Sequence, residues 1–539
     1  MKKSLTAIIG MLFCITANSQ EINAIVTRQG SSSNKSHYQL SETPKFVLDG
    51  DNINVMVGET QKEQFGISTD ALNIIFGSVI NDNVSENDLT VKHPVIIENN
   101  GILTVTGTMI NTEAENLVIE DGGQLVTGSS VPATMKKKIT GNASNVSKAS
   151  NVNWYTISSP LAANTAFANV TNLIPTEVTE IDYDLYRLNE KNGMWVNSKL
   201  ENDANPDFTT INKGVGYIYH NTKDTELEFK GATNVDEVEM NLTLTADKGK
   251  GFNLIGNPFT QNITLNDITT IPSEGFIVID NKGTSDLADG FYVLSDHNSW
   301  EAKLSTDEIK PLQGFLVQAK GECSATINRP ASGSKGERSE EQDTNIEIVV
   351  SNGNYKDNAY AVLGGGAGLN KISHRNAEAP MLYIPQDNED FAIAYMDEST
   401  TLFPVNFKAM TTGNYRISLN ATDDIRSLVL IDNMTGEKTN MLLEESYSFI
   451  SSPTDRESRF MVRLEVRDSD DEEEQFVYQY GNELIIDGEG TLQMFDVLGR
   501  VVLSEEVHGQ RVDVSNLTTG AYIVRLTGEN VMTQKIVVR

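Results

Sequence analysis

Apolar and polar residues alternate with a period of two along much of this chain, in short runs broken by glycine, asparagine and aspartate. Arg459-Phe460-Met461-Val462-Arg463-Leu464 is one such run, the pattern of a strand with one face buried. Asn-Gly and Asp-Gly pairs recur between the runs and tolerate the positive φ of tight turns. Lys45 to Leu48, the turn Asp49-Gly50-Asp51-Asn52 and Ile53 to Val57 predict a hairpin. Asp49, Asp51 and Asn52 alternate oxygen donors, but the loop lacks the later glutamate of a helix-flanked calcium site, and turn chemistry accounts for them. Apolar periodicity of 3.6 residues is missing after the first twenty residues. The expected class is all-β and multidomain, with few short helices.

Two internal repeats refine this. Val95-Ile96-Ile97-Glu98-Asn99-Asn100-Gly101-Ile102-Leu103 recurs 22 residues later as Leu117-Val118-Ile119-Glu120-Asp121-Gly122-Gly123-Gln124-Leu125. Strand, glycine turn and strand at a fixed offset predict stacked, β-solenoid-like rungs. Two clear rungs are fewer than a free-standing solenoid needs, so this piece should pack against its neighbours. The second repeat aligns Trp154 to Leu161 with Phe252 to Phe259, 98 residues on. Tyr186-Arg187-Leu188 leading to Trp195 matches Tyr292-Val293-Leu294 leading to Trp300, and Gly214 to Tyr217 matches Leu312 to Phe315. These matches predict duplicated β-sandwich units. Trp154, Trp195 and Trp300 are the three tryptophans of the chain. They either fill the two cores or form an aromatic platform for sugar rings, since an exposed ring offers apolar area at low entropy cost.

Charge and the N-terminus place the chain outside the cell. Lys2 and Lys3, the apolar run Leu5 to Ile15, and Ala17-Asn18-Ser19 form a signal peptide over 1–19. Cleavage between Ser19 and Gln20 is expected. Phe13 before Cys14 opposes a lipid anchor, because that position takes a small residue. No later uncharged apolar run is long enough to cross a bilayer. Cys323 then remains as the single cysteine, so no intramolecular disulfide can form and it should be an inert buried thiol. The net charge of -33 is spread along the chain, which makes nucleic acid and anionic membranes poor partners.

The last stretch carries a more specific signal. Strand-like runs at Glu483 to Ile486, Leu492 to Val502, Val512 to Val514, Gly520 to Leu526 and Lys535 to Arg539 predict a compact antiparallel sandwich. Phe495-Asp496-Val497-Leu498-Gly499-Arg500, then Leu517 to Tyr522 with the Gly520-x-Tyr522 pair, then Lys535 before a short apolar strand, resemble the type A C-terminal sorting domain of type IX secretion cargo. The resemblance implies an immunoglobulin-like sandwich in a Gram-negative surface or secreted protein. It is read by the type IX translocon and cut by its sorting protease as cargo is released or joined to surface lipopolysaccharide. The asparagine-proline start of many members is missing, and Phe476 to Gly490 takes its place. Gly251 to Phe259 and Pro311 to Val317 resemble β-domain elements of surface proteins with the same tail.

The expected organisation is therefore a signal peptide at 1–19, an N-terminal β unit at 20–86 and a short solenoid-like segment at 87–138. A duplicated β-sandwich region at 139–330 follows. Residues 331–342 lack any apolar residue larger than alanine and read as a linker. A further β-sandwich at 343–467 precedes an acidic linker at 468–475, with Asp468 to Glu474 self-repelling. The sorting domain takes 476–539.

No chemistry-bearing motif competes with this picture. The six histidines show no zinc spacing, no Cys-x-x-Cys or Gly-x-Ser-x-Gly is present, and Gly364 to Gly368 precedes no lysine-serine pair. No cofactor is expected. The expectation is a non-catalytic cell-surface or secreted protein with a glycan or protein ligand, or a surface scaffold. The alternative is a glycan-active hydrolase or lyase, or a carbohydrate-binding protein, because glycosidase carboxylates follow no local spacing rule.

Overall fold

The computed structural model describes residues 23–538 apart from 30–34, 43, 50–51, 67–71, 142–153, 176–182, 200–207, 271–274, 280–299, 331–343, 375–377, 423, 467–475, 481–482, 487, 497, 510 and 529–530. The expected signal peptide with Ser19 and Gln20, both expected linkers, and Tyr292 to Leu294 lie outside the described residues. Strands dominate what is described, and its helical elements are three-residue 3-10 turns. The fold is all-β. Two compact units carry the strands, residues 1–422 with 428–464, and residues 423–427 with 465–539.

In the larger unit the 22-residue repeat is a stack of parallel rungs. Val95–Ile97 pairs in parallel with Leu117–Ile119, and Ile102–Val105 with Gln124–Thr127, each residue meeting its repeat partner. The glycines follow from this stacking. A Cβ on Gly101 would sit 2.2 Å from the Ile80 carbonyl oxygen, and one on Gly123 would sit 2.6 Å from that of Ile97, so only glycine lets one rung lie on the next. A third course precedes the two seen in sequence. Leu72–Ile80, Asn83–Glu86 and Leu89–Thr90 pair in parallel with the next course, so the solenoid begins inside the stretch expected as the N-terminal unit. One eight-stranded sheet continues past both ends of the stack. Ala24–Gln29 pairs antiparallel with Leu72–Ile80, and Thr225–Ala232 pairs antiparallel with Pro132–Ile139. The expected hairpin is present, with Asp49 opposite Asn52.

The 98-residue repeat is two copies of one sheet. The first orders Tyr155–Ile157, Tyr217–Asn221, Tyr183–Asn189 and Met194–Asn197. The second orders Phe252–Gly256, Gly314–Gln318, Gly275–Ile279 and Trp300–Leu304. In strand order Gly275–Ile279 holds the place that Tyr183–Asn189 holds in the first copy. The copies touch through equivalent positions, as in a self-complementary pair. Gly256 N donates to Gly214 O at 2.8 Å and its counterpart Ser158 N to Leu312 O at 3.0 Å, and Trp195 stacks on Trp300 with ring centres 6.1 Å apart.

Both faces of these sheets are buried. Tyr217 and Tyr219 enter a core shared with the solenoid, while Ile218 between them enters the core shared with the second copy. Ile277 and Ile279 face that same middle core, and Phe276 and Val278 face a third. This explains their unbroken apolar runs, since a strand covered on both sides does not alternate. Beyond the second copy, strands from Asn345–Ser351 to Phe460–Val466 belong to an eleven-stranded sheet, with Phe403, Phe407, Tyr415, Phe449 and Phe460 buried. Trp300→Ala should cost about 3–5 kcal/mol of stability. Trp195→Ala, at a half-buried site, should cost less, and denaturant unfolding of the two variants checks the order.

Candidate functional site

The smaller unit is a sandwich of a three-stranded sheet, Val477–Tyr480, Glu483–Ile486 and Arg511–Asp513, and a four-stranded sheet. The latter orders Val501–His508, Glu489–Phe495, Gly520–Thr527 and Val531–Val538. Leu484, Ile486, Leu492, Met494, Val524 and Leu526 fill the space between them.

The motif residues, spread over some forty positions, converge at one end of the four-stranded sheet. Phe495 stands opposite both Val501 and Ile523, Ile523 opposite Lys535, and Gly520 opposite Val538. Asp496 organises the turn between the first two strands. Its Oδ1 accepts the backbone N–H groups of Leu498 and Arg500, both at 2.9 Å, and Oδ2 accepts Arg500 Nε and Nη2, both at 2.7 Å. Gly499 has φ +75° with open space around its Cβ position, so backbone conformation rather than contact requires glycine there. The Arg500 N–H and guanidinium hold the Asp496 carboxyl below the usual carboxylate range.

Tyr522 is buried and its hydroxyl donates to Thr518 O at 2.7 Å, a tyrosine corner of the kind found in immunoglobulin-like sandwiches. Tyr415 makes the same bond to Thr411 O at 2.6 Å in the larger unit. Gly520 has a Cβ position no closer than 3.9 Å to other atoms, and nothing in the structure explains a glycine there. Lys535 is exposed.

Sequence reasoning missed Gln534. It is 8% exposed on the inward face of the last strand, where its Oε1 accepts the N–H groups of Phe476 and Val477 at 3.0 and 2.9 Å and its Nε2 donates to Val477 O at 2.8 Å. One side chain thus ties the first strand of the sandwich to its last. The only signal in the sequence was a polar residue at an inward position of an alternating strand.

The tryptophans sit elsewhere and are not a platform. Trp154 and Trp300 are 1% and 3% exposed, and Trp195 is half-buried against the same core. The Trp154 ring packs on Tyr186 and His220. The sugar-stacking expectation for Trp154 and Trp300 is corrected: the second copy and the eleven-stranded sheet cover the faces a sugar would need. Cys323 is partly exposed rather than buried, a second correction, because it is the first residue of the central strand of its three-stranded sheet, paired with Leu242 on one side and beyond the reach of Ile268–Thr269, which pairs only Thr326 and Ile327, on the other.

A small immunoglobulin-like domain with its polar turn, tyrosine corner and terminal strand gathered at one end defines a sorting address on an exported protein. Residues 475–539 match the family model of the secretion system C-terminal sorting domain. The chain is cargo of the type IX secretion route, bound for the cell surface or the medium. No curated protein matches it.

Gly499→Ala should cost about 1–2 kcal/mol, the price of a left-handed non-glycine residue, whereas Gly520→Ala should stay within about 0.5 kcal/mol. Gln534→Ala should cost about 1–3 kcal/mol by orphaning buried N–H groups. Faster amide exchange at Phe476 and Val477 than at Leu492 checks it. Because the folded pKa of Asp496 is depressed, its contribution is complete above the unfolded value of about 3.9 and is lost as pH falls through the folded value. Carboxyl titration by NMR, with Asp496→Asn showing no such dependence, tests the sign.

Proposed function

We propose that the larger unit is a non-catalytic body, an adhesin-like ligand binder or surface scaffold, which the C-terminal domain delivers across the outer membrane. The observation that carries this is where the aromatic side chains go. The hydrophobic cores run from solenoid to first copy and from both copies to the eleven-stranded sheet, so the rings join modules instead of lining a cleft. That arrangement suits a body whose task is to hold a surface in place for a glycan or protein ligand. It speaks against the glycan-enzyme alternative, whose stacking platform would need those rings exposed. Residues 1–19 are its signal peptide in this reading, and release or attachment to surface lipopolysaccharide follows removal of the tail.

The address is the outer face of the four-stranded sheet. Val501, Ile523 and Val537 are 51%, 47% and 51% exposed there, with Leu498 at 75% on the neighbouring turn. Arg500, Arg525 and Lys535 are exposed around them. An apolar patch rimmed by charge is the usual chemistry of a protein contact.

Fractionation with whole-cell protease shaving tests delivery. Deleting 476–539 should leave the protein in the periplasm, and Ile523→Asp should lower surface display while the domain stays folded. Wild-type display of the deletion would overturn the address. Incubating purified protein with arrayed glycans and matrix proteins tests the body: retained, unmodified ligand supports the proposal, and cleaved glycan overturns it.

A further inference from the structure

Three buried groups in the larger unit have no part in either reading. Asp357 lies on the strand Lys356–Leu363, Lys371 just after Leu369–Asn370, and His374 three residues on. Their side chains are 0%, 4% and 1% exposed. Lys371 Nζ is 2.5 Å from Asp357 Oδ1, and His374 Nε2 is 3.1 Å from the same oxygen. Asn358 N also donates to Oδ1, at 2.9 Å, while Leu382 N donates to Oδ2 at 2.7 Å. The backbone N–H of Trp300 donates to His374 Nδ1 at 3.1 Å, which places the ring proton on Nε2, near Oδ1 but outside hydrogen-bond geometry.

We infer that Lys371 and Asp357 condense into an intramolecular isopeptide bond. The Lys371 ammonium passes a proton to Oδ1 across the short contact, leaving an amine and a carboxylic acid. The amine lone pair adds to Cγ and its second proton goes to Oδ1. The Cγ–Oδ1 bond then breaks and Oδ1 departs as water. No oxidant or co-reactant is needed, and atoms and charge balance: ammonium and carboxylate become a secondary amide and one water.

The surroundings favour the attack, although burial is outweighed by the Lys371 charge, which with His374 holds the Asp357 carboxyl below its usual range, against protonation. Burial pushes the Lys371 amine down from its usual pKa, which favours the neutral nucleophile. The N–H donors on both carboxyl oxygens stabilise the charge of the tetrahedral intermediate, as an oxyanion hole does. Fixed neighbours replace encounter, with nucleophile and carboxyl already in contact. The product's hydrogen bonds are in place beforehand. Oδ2, which becomes the amide oxygen, already accepts Leu382 N–H. Nζ, which becomes the amide nitrogen, already donates to Asn358 O at 2.9 Å. The amide also removes two buried charges from an interior where each is costly.

The test is mass spectrometry of the folded full-length protein. The expected result is an intact mass lower by one water and a branched peptide joining the segment of Asp357 to that of Lys371. Asp357→Asn should lose ammonia instead and reach the same linked mass. Lys371→Met should show its unmodified mass. Wild-type protein that is folded yet keeps its full mass, with the two segments unlinked, overturns the inference and leaves a buried ion pair. The wild-type measurement decides even if Lys371→Met fails to fold.

Discussion

An edge strand presents a row of unpaired N–H and C=O groups, and an all-β protein must cover, pair or satisfy each such row. This one does so in three ways. The solenoid is continued at both ends by antiparallel strands, Ala24–Gln29 at one and Thr225–Ala232 at the other. The edge strand Trp300–Leu304 is met by side chains that imitate a strand: Asn358 accepts Ala302 N–H at 2.9 Å and donates to Ala302 O at 3.0 Å, beside His374 on Trp300. In the sorting domain Gln534 does the same for Phe476 and Val477. A side-chain amide carries the donor and acceptor of a peptide group, so it can substitute for a neighbouring strand where geometry forbids one.

The duplicated copies depend on that solution. Facing each other, they bury the middle core and the Trp195–Trp300 stack, and each then needs a cover on its other face. The solenoid supplies one through Tyr217 and Tyr219. The strand Val238–Leu242 with Cys323–Ile327 and Ile268–Thr269 supplies the other, over Phe276, Val278 and Phe315. The order of modules in sequence is thus also an order of mutual burial. A ligand surface on such a body has to come from loops and outward strand faces, since the inward positions are spent.

How much of this was legible follows from which interactions are local. Period-two alternation, the rung glycines Gly101 and Gly123, and the Asp49 turn report on neighbours a fixed few residues away, and they read correctly. The tail was legible because Asp496, Gly499 and Arg500 form one turn and Tyr522 bonds only four residues back. Trp154 and Trp300 were ambiguous because a ring's inward or outward direction is fixed by modules far along the chain. Asp357, Lys371 and His374 drew no attention in the sequence, for burial of charge leaves no local mark. Gln534 was hidden in the same way.

Exported proteins often staple their domains with disulfides, yet this chain has only Cys14 and Cys323. Cys14 falls within the expected signal peptide, so covalent closure by sulfur is out of reach for the rest. The structure places its restraints in buried polar groups instead, and these act at module joints: Glu301 pairs with Lys356 across the second copy and the eleven-stranded sheet at 2.6 Å, and Asp357 gathers Lys371 and His374 next to the same edge. A buried ion pair by itself adds little net stability, because desolvation offsets its attraction. It does penalise separation of the two partners, since each charge would be left uncompensated. Charge at these joints therefore fixes how the modules meet more than how tightly each folds, and an amide between Lys371 and Asp357 would add a covalent tie inside the eleven-stranded module beside that joint.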